Sequence, residues 1–194
     1  MVRGEKLGSV DSDKVLVERC QRGDVAAFEM LVLKYQQNIF HLIYHLTNGS
    51  EQVEDLAQDV FLKAFKAIKG FRGESCFYTW LYRIAVNTCR NFIKFQRKHQ
   101  SYDTADDTPT ELDDIRFHPQ DPVHNLETKE LFCEIDRAIS SLSPEYRTVI
   151  ILRDVKELSY DEISQVLGCP IGTVRSRLFR ARADLKNKLK AYLV

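Results

Sequence analysis

Apolar residues recur along this chain at three- and four-residue intervals, the period of a helix with one buried face, without the two-residue alternation of a half-buried strand. Leu16 and Cys20, then Phe28, Leu31, Val32, Tyr35, Ile39, Leu42, Ile43 and Leu46, predict two helices broken near Gly23-Asp24, the second ending at Asn48-Gly49-Ser50. Val53, Leu56, Ala57, Val60, Phe61, Ala64, Phe65 and Ile68 form the stripe of a third helix that stops near Gly70. After the turn Phe71–Ser75, a long helix runs from Phe77 toward Lys98 with Leu81, Ile84, Ala85, Thr88 and Phe92 facing inward. Four such helices make a bundle.

The pattern lapses from Ser101 to about Pro122, a stretch rich in Asp, Thr and Pro that reads as a linker. Beyond it, Leu126–Leu142 predicts one helix. A second starts at Ser143-Pro144-Glu145, a cap-like serine followed by proline at the first helical position, and runs through Tyr146, Val149, Ile150, Leu152 and Val155. Two more helices, Tyr160–Leu167 and Ile171–Leu189, flank Gly168-Cys169-Pro170. The expected fold is all-α: two small helical domains, 1–100 and 122–194, joined by a flexible acidic linker at 101–121.

Composition narrows the class. With 194 residues, 44% hydrophobic and 29% charged, the chain is globular and too short for a large barrel enzyme. It has no apolar run approaching the roughly 18 residues that cross a bilayer, and Met1–Asp13 lacks the apolar stretch of a signal peptide, so a cytosolic protein is expected. Five scattered cysteines without a Cys-x-x-Cys pair read as reduced thiols. His41 and His45 stand four apart on one helix, but two ligands without a third make no metal site; neither metal nor cofactor is expected.

The formal net charge of zero hides a segregation. Summed by segment it is −1 over 1–71, +5 over 72–100, −6 over 101–121, −4 over 122–167 and +6 over 168–194. Two basic patches divided by an acidic stretch suit a protein that touches a polyanion at two places, nucleic acid foremost.

The second patch carries a helix-turn-helix grammar. Ser159-Tyr160-Asp161-Glu162 caps a helix bearing Ile163 and Leu167, Gly168 permits the turn, and Pro170 helps start the next helix. There Ile171, Val174, Leu178, Ala181 and Leu185 share an inward arc, which turns Arg175, Ser176, Phe179 and Arg180 outward. A water-facing phenylalanine is costly on a plain structural helix, whereas in a major groove it packs on thymine methyls, and Arg175 and Arg180 reach guanine edges. Arg177 and Arg182 flank this face, together with Lys186, Lys188 and Lys190, as candidate phosphate contacts.

The first patch interleaves Phe77, Tyr78, Trp80, Tyr82, Phe92 and Phe95 with Arg83, Arg90, Lys94, Arg97 and Lys98. Cations that follow a backbone and rings that stack on unpaired bases suit a single strand. Trp80, Leu81 and Ile84 are assigned to the core; Tyr82, Arg83, Asn87 and Arg90 are expected to be exposed, with Asn87 able to pair with a base edge. The turn Arg72–Cys76, with Ser75 in it, offers a pocket for a base taken out of the stack.

Three long stretches in order now bear a resemblance: Glu54–Phe61, Phe71–Ser75 running into Phe77–Thr88, and Gly172–Arg182. Together they resemble the extracytoplasmic-function (ECF) sigma factors of bacterial RNA polymerase, of the sigma-E and AlgU type, over almost the whole chain. The resemblance implies a non-catalytic initiation factor with sigma region 2 at 1–100, a linker, and sigma region 4 at 122–194. It implies that Asp55, Leu56, Gln58, Asp59 and Phe61 contact the clamp helices of the polymerase largest subunit, and that the flap is a further docking point. Lys63, Tyr82 and Asn87, with the Arg72–Phe77 turn, match positions that read and hold the melted minus-10 element of promoter DNA. Arg175, Ser176, Phe179 and Arg180 match those that read the minus-35 duplex. Cys76 and Cys89 stand where alanine is common in relatives. The family also implies control by an anti-sigma factor, often membrane-anchored, and a role in envelope stress, while the acidic linker would follow the RNA-exit path as a nucleic-acid mimic.

Two other readings stay open on the residues alone. An ordinary helix-turn-helix regulator would bind duplex DNA as a dimer and use its first block for oligomerisation or ligand sensing, tolerating loss of Asp55 and Gln58. A nucleic-acid enzyme has poorer support, because no carboxylate cluster, nucleophile–base pair or metal set converges on either basic patch.

Overall fold

The computed structural model describes the backbone of residues 4–100 and 126–190 and the side chains of 12–98 and 133–190. Every regular element among these residues is helical. The N-terminal block contains α1 (Gly4–Gln21), α2 (Val25–Thr47), α3 (Val53–Ala67) with a 3-10 turn at Ile68–Gly70, and α4 (Phe77–Gln100). The C-terminal block contains α5 (Leu126–Ser140), α6 (Pro144–Ile150) running into a π-helical turn at Ile151–Val155, α7 (Tyr160–Leu167) and α8 (Ile171–Lys188). The expected linker at 101–121 lies outside the described residues.

Local chemistry sets the breaks. Asp24 accepts the Ala27 N–H through its side chain at 3.2 Å and so starts α2. Asn48 ends it in the left-handed region (φ 57°), a conformation its short polar side chain tolerates. Ser159 and Glu162 form a reciprocal capping box at α7: the Glu162 N–H donates to Ser159 Oγ at 3.2 Å and the Ser159 N–H to Glu162 Oε2 at 2.6 Å. Gly168 follows at φ 62°, where a Cβ would be strained, and turns the chain into α8. Ser143 precedes α6 without a side-chain capping bond, so the proline behind it sets that start, not the serine the sequence suggested.

α2 is the spine of the first block, burying Leu31, Ile39, Leu42 and Ile43 against Val60, Ile68 and Leu81. Polar ties pin α1 to it: the buried Asp13 carboxylate accepts from Lys34 Nζ and the Tyr35 hydroxyl. Gln21, the last residue of α1, donates its amide to the Ile68 carbonyl at 3.0 Å and the Phe71 carbonyl at 2.7 Å, fixing the root of the α3–α4 loop. The second block closes around Ile150, Ile151, Leu152, Ile163 and Leu178.

The two blocks do not stand apart. α7 packs across α4, while α6 and the π-helical turn meet α2, and one continuous apolar core spans both blocks. Arg147 of α6 is buried and holds the seam. Its guanidinium donates to the carbonyls of Ile139 at 3.4 Å, Leu142 at 3.1 Å and Ser140, all in its own block, and to Leu46 at 3.4 Å across the seam. Asn48 returns a bond from its side chain to the Ser140 carbonyl at 3.5 Å.

Candidate nucleic-acid and polymerase interfaces

On α3 the amphipathic stripe leaves an acidic outer face. Glu54, Asp55 and Gln58 are exposed, and Asp59 is paired with Lys63 Nζ at 2.6 Å. Leu56, assigned to a polymerase-facing role in the sequence, is only 8% exposed: it belongs to the stripe packed on α2 and has no side-chain surface for a partner. Phe61 is half-buried. The sequence stripe misplaced Phe65, which lies at its edge, 44% exposed, with its ring 5.0 Å from Phe28; Leu62 beside it is 57% exposed. The outer face of α3 is thus a row of acids with an apolar ridge alongside.

The start of α4 builds the second site. Phe71, Phe77 and Trp80 cluster with ring centroids 5.0–6.2 Å apart, and Tyr35 closes on Phe77 at 5.6 Å. Phe77 is therefore a buried wedge that shapes the loop, and stacking on a base is not open to it. Beside the cluster lies a cavity of about 560 Å³ between Arg72, Ser75, Thr79, Trp80 and Arg83 of the first block and Gln165 and Gly168 of the second. Arg72 and Glu74 approach to 3.9 Å at its rim, both largely in solvent. Thr79 is buried and its hydroxyl has no hydrogen-bond partner. The pocket expected at this turn is present, walled on one side by α7.

Arg83, Asn87, Arg90 and Lys94 lie along one exposed stripe of α4. Lys63 reaches from α3 to the neighbouring Thr88 hydroxyl at 3.1 Å while paired with Asp59, so it is held at the α3–α4 junction. Tyr82 departs from the expectation of exposure. It is buried, and desolvation pushes its hydroxyl pKa up to about 12.

α8 presents the third site. Val174, Leu178 and Ala181 are buried, and Arg175, Ser176, Phe179 and Arg180 are exposed, Phe179 at 77%. Ser176 donates its hydroxyl to the Thr173 carbonyl at 3.0 Å. Two arginines assigned to phosphates are engaged within the block: Arg177 pairs with Glu145 at 2.9 Å and Arg182 with Asp154 at 2.6 Å. The Asp154 hydrogen bond raises the Arg182 pKa. These ion pairs fix α8 on α6 and its π-helical turn. Among the described residues no group of three His, Cys, Asp or Glu gathers as a metal site, and no helix is long and apolar enough to cross a membrane.

Comparison with known proteins decides what these surfaces belong to. Residues 31–99 match the model of Sigma-70 region 2, and 134–185 that of Sigma-70, region 4. The RNA polymerase sigma-H factor of Pseudomonas aeruginosa is 41% identical over 186 residues, 94% of this chain and 96% of that protein. The ECF RNA polymerase sigma-E factor of Escherichia coli K12 is 40% identical over 186 residues, 92% and 95% of the two chains. The chain is an ECF sigma factor of the sigma-70 family.

Solved structures share the fold. The sigma factor RpoE of Bartonella quintana, in complex with the anti-sigma factor NepR, superposes with a TM-score of 0.67 at 27% identity, over 84% of this chain and 96% of its own. CnrH, in complex with the cytosolic domain of CnrY, gives 0.69 at 24% identity over 93% and 99%. As a sigma factor the protein is a non-catalytic initiation subunit that brings core RNA polymerase to promoters. That sets aside the nucleic-acid enzyme and favours this reading over the free-standing duplex-binding regulator.

Proposed function

We propose that the three surfaces divide the work of initiation. The exposed acids of α3, Asp55, Gln58 and Asp59, with the ridge of Phe61, Leu62 and Phe65, dock on a basic surface of the polymerase clamp. Complementary charge speeds the encounter and the apolar ridge holds it. Arg83, Asn87 and Arg90 on α4, with Lys63 at the junction, hold the melted minus-10 strand, and the Arg72–Ser75 pocket receives one unstacked base. Arg175, Ser176, Phe179 and Arg180 read the minus-35 duplex from the major groove. Sigma region 2 ends with α4 near residue 100 and region 4 spans 122–194.

The single observation that carries this reading is the exposed Phe179 between Arg175 and Arg180 on the second helix of a capped helix-turn-helix, in a chain that also carries an acidic α3. Control by an anti-sigma factor is supported by the Bartonella quintana sigma factor RpoE, solved with the anti-sigma factor NepR; on this reading that partner is held at the inner membrane and the response is to envelope stress. On this reading the protein works in the cytoplasm. The test is transcription with purified core polymerase on genomic DNA, with start sites mapped in the presence and absence of the protein. New starts sharing two spaced elements are expected, and an unchanged map refutes the assignment.

A further inference from the structure

The α3–α4 loop at residues 72–76 makes its own bonds locally. Arg72 and Glu74 approach at 3.9 Å in solvent, Ser75 donates its hydroxyl to the adjoining Cys76 carbonyl at 3.3 Å, and Gly73 takes the left-handed conformation (φ 73°) with open space where a side chain would stand. Its placement comes from the two aromatic residues that bound it, and both refer to α1. Before the loop, the Ile68 and Phe71 carbonyls accept the Gln21 amide at 3.0 and 2.7 Å. After it, Phe77 lies 5.6 Å from the Tyr35 ring and 6.2 Å from Phe71, and the Tyr35 hydroxyl donates to the Asp13 carboxylate, whose other oxygen accepts from Lys34 Nζ.

None of these α1-linked groups can read a base itself. Asp13 is 3% exposed and Tyr35 6%, and the Gln21 amide is engaged by two carbonyls. Filling space would not require the Tyr35 hydroxyl, since a phenylalanine ring occupies the same volume. The hydroxyl adds direction: held by Asp13, it sets the ring that tilts at 52° against Phe77 and so sets the first turn of α4. Telling one base from another is a difference of affinities, and a site keeps that difference only while its walls stay within about 0.5 Å of the productive shape.

We propose that Asp13, acting through Tyr35 and Phe77, and Gln21, acting through the Phe71 carbonyl, are positioning residues that hold the 72–76 loop in the shape that discriminates among bases of the minus-10 strand. The inference rests on the reading above that this loop receives one unstacked base. α1 thereby sets promoter choice from outside the reading surface, and its loss of grip costs selectivity before it costs initiation.

The test is competitive transcription by full-length protein with core polymerase, on promoters carrying each of the four bases at every minus-10 position. Tyr35→Phe removes the hydroxyl and keeps the ring; Gln21→Met keeps the length of the side chain and removes its donors. Each is expected to lower discrimination at the position read by the loop by about threefold or more, within the range for residues that act through others. Preferences at the other minus-10 positions, binding to a minus-35 duplex and capture by core polymerase are expected to stay as in the parent. Asp13→Asn, which still offers an oxygen to the Tyr35 hydroxyl, is expected to retain most of the discrimination that Asp13→Ala loses. Amide exchange is expected to quicken in the first turn of α4 of the impaired variants while α2 and α8 keep their protection.

A purely structural role would lower initiation from all promoters alike and leave the base ratio unmoved; that result, or full discrimination in both Tyr35→Phe and Gln21→Met, overturns the inference. Arg72→Ala/Ser75→Ala separates the two levels of the argument. If that variant keeps every base preference, the reading of the loop as a base receiver fails and the inference falls with it. If it loses the preference at one position while the α1-linked variants keep it, only the inference is overturned.

Discussion

Phe179 and Leu56 show how one exposure value changes what a residue can do. Phe179 has nothing to lose in the fold, so Phe179→Ala is expected to leave the unfolding midpoint within about 0.5 kcal/mol of the parent. Binding to a minus-35 duplex should weaken by about 1–3 kcal/mol, roughly 5- to 150-fold, the range of one lost base-pair contact; titration of a labelled duplex at fixed salt measures it. Leu56→Ala, by contrast, empties a packed site and should cost about 2–5 kcal/mol in chemical denaturation. Gln58→Ala, on the exposed face of the same helix, should leave stability unchanged and weaken capture by core polymerase. Equal stability losses for the two would contradict the division of α3 into inner and outer faces. Leu56 was misassigned because a motif match transfers a position without its orientation; the three- and four-residue stripe already contained the correction.

At the scale of elements, the helices and their breaks were legible because each has a local cause: Asp24 and Asn48 at the ends of α2, the Ser159–Glu162 box, Gly168. Gly168→Ala puts that last cause to the test. A Cβ there meets open space, so the whole cost is the left-handed backbone, about 1–2 kcal/mol. The expected result is a lower denaturation midpoint with weaker duplex binding, since α8 loses its fixed angle to α7; a midpoint unchanged within error would mean the turn relaxes freely.

What the pattern did not disclose was the cover over Tyr82. Tyr82 read as exposed because the C-terminal block, whose α7 packs across α4, is remote in sequence, and hydrophobic periodicity reports that a face is buried without saying by what. The ion pairs of Arg177 and Arg182 stayed hidden for the same reason, as Glu145 and Asp154 belong to an earlier helical segment.

For the molecule as a whole, the seam makes stability depend on acidity. His41 and His45 are both held below the ordinary histidine pKa of 6.5, first by burial; at His45 the Asp136 charge opposes this and Lys156 adds to it, and at His41 the positive charges of Lys156 and His45 add to it. A lowered histidine pKa means the opened or unfolded chain takes up protons before the closed one. The seam therefore contributes fully above pH 6.5 and weakens as pH falls below it. Melting temperature and compactness should both decline on going from about pH 7 to about pH 5, and His41→Gln/His45→Gln should flatten that decline. A parent profile as flat as the variant's would show that the histidines stay neutral by some other means.

The Gln21 amide, bonded to the Ile68 and Phe71 carbonyls, bears on how such factors can be re-engineered. The loop that would choose among promoters is moored by a residue some fifty positions earlier in the chain. A graft of residues 71–76 into a related scaffold would carry the reading chemistry without its anchorage. Faithful transfer of preference requires the glutamine to travel with the loop.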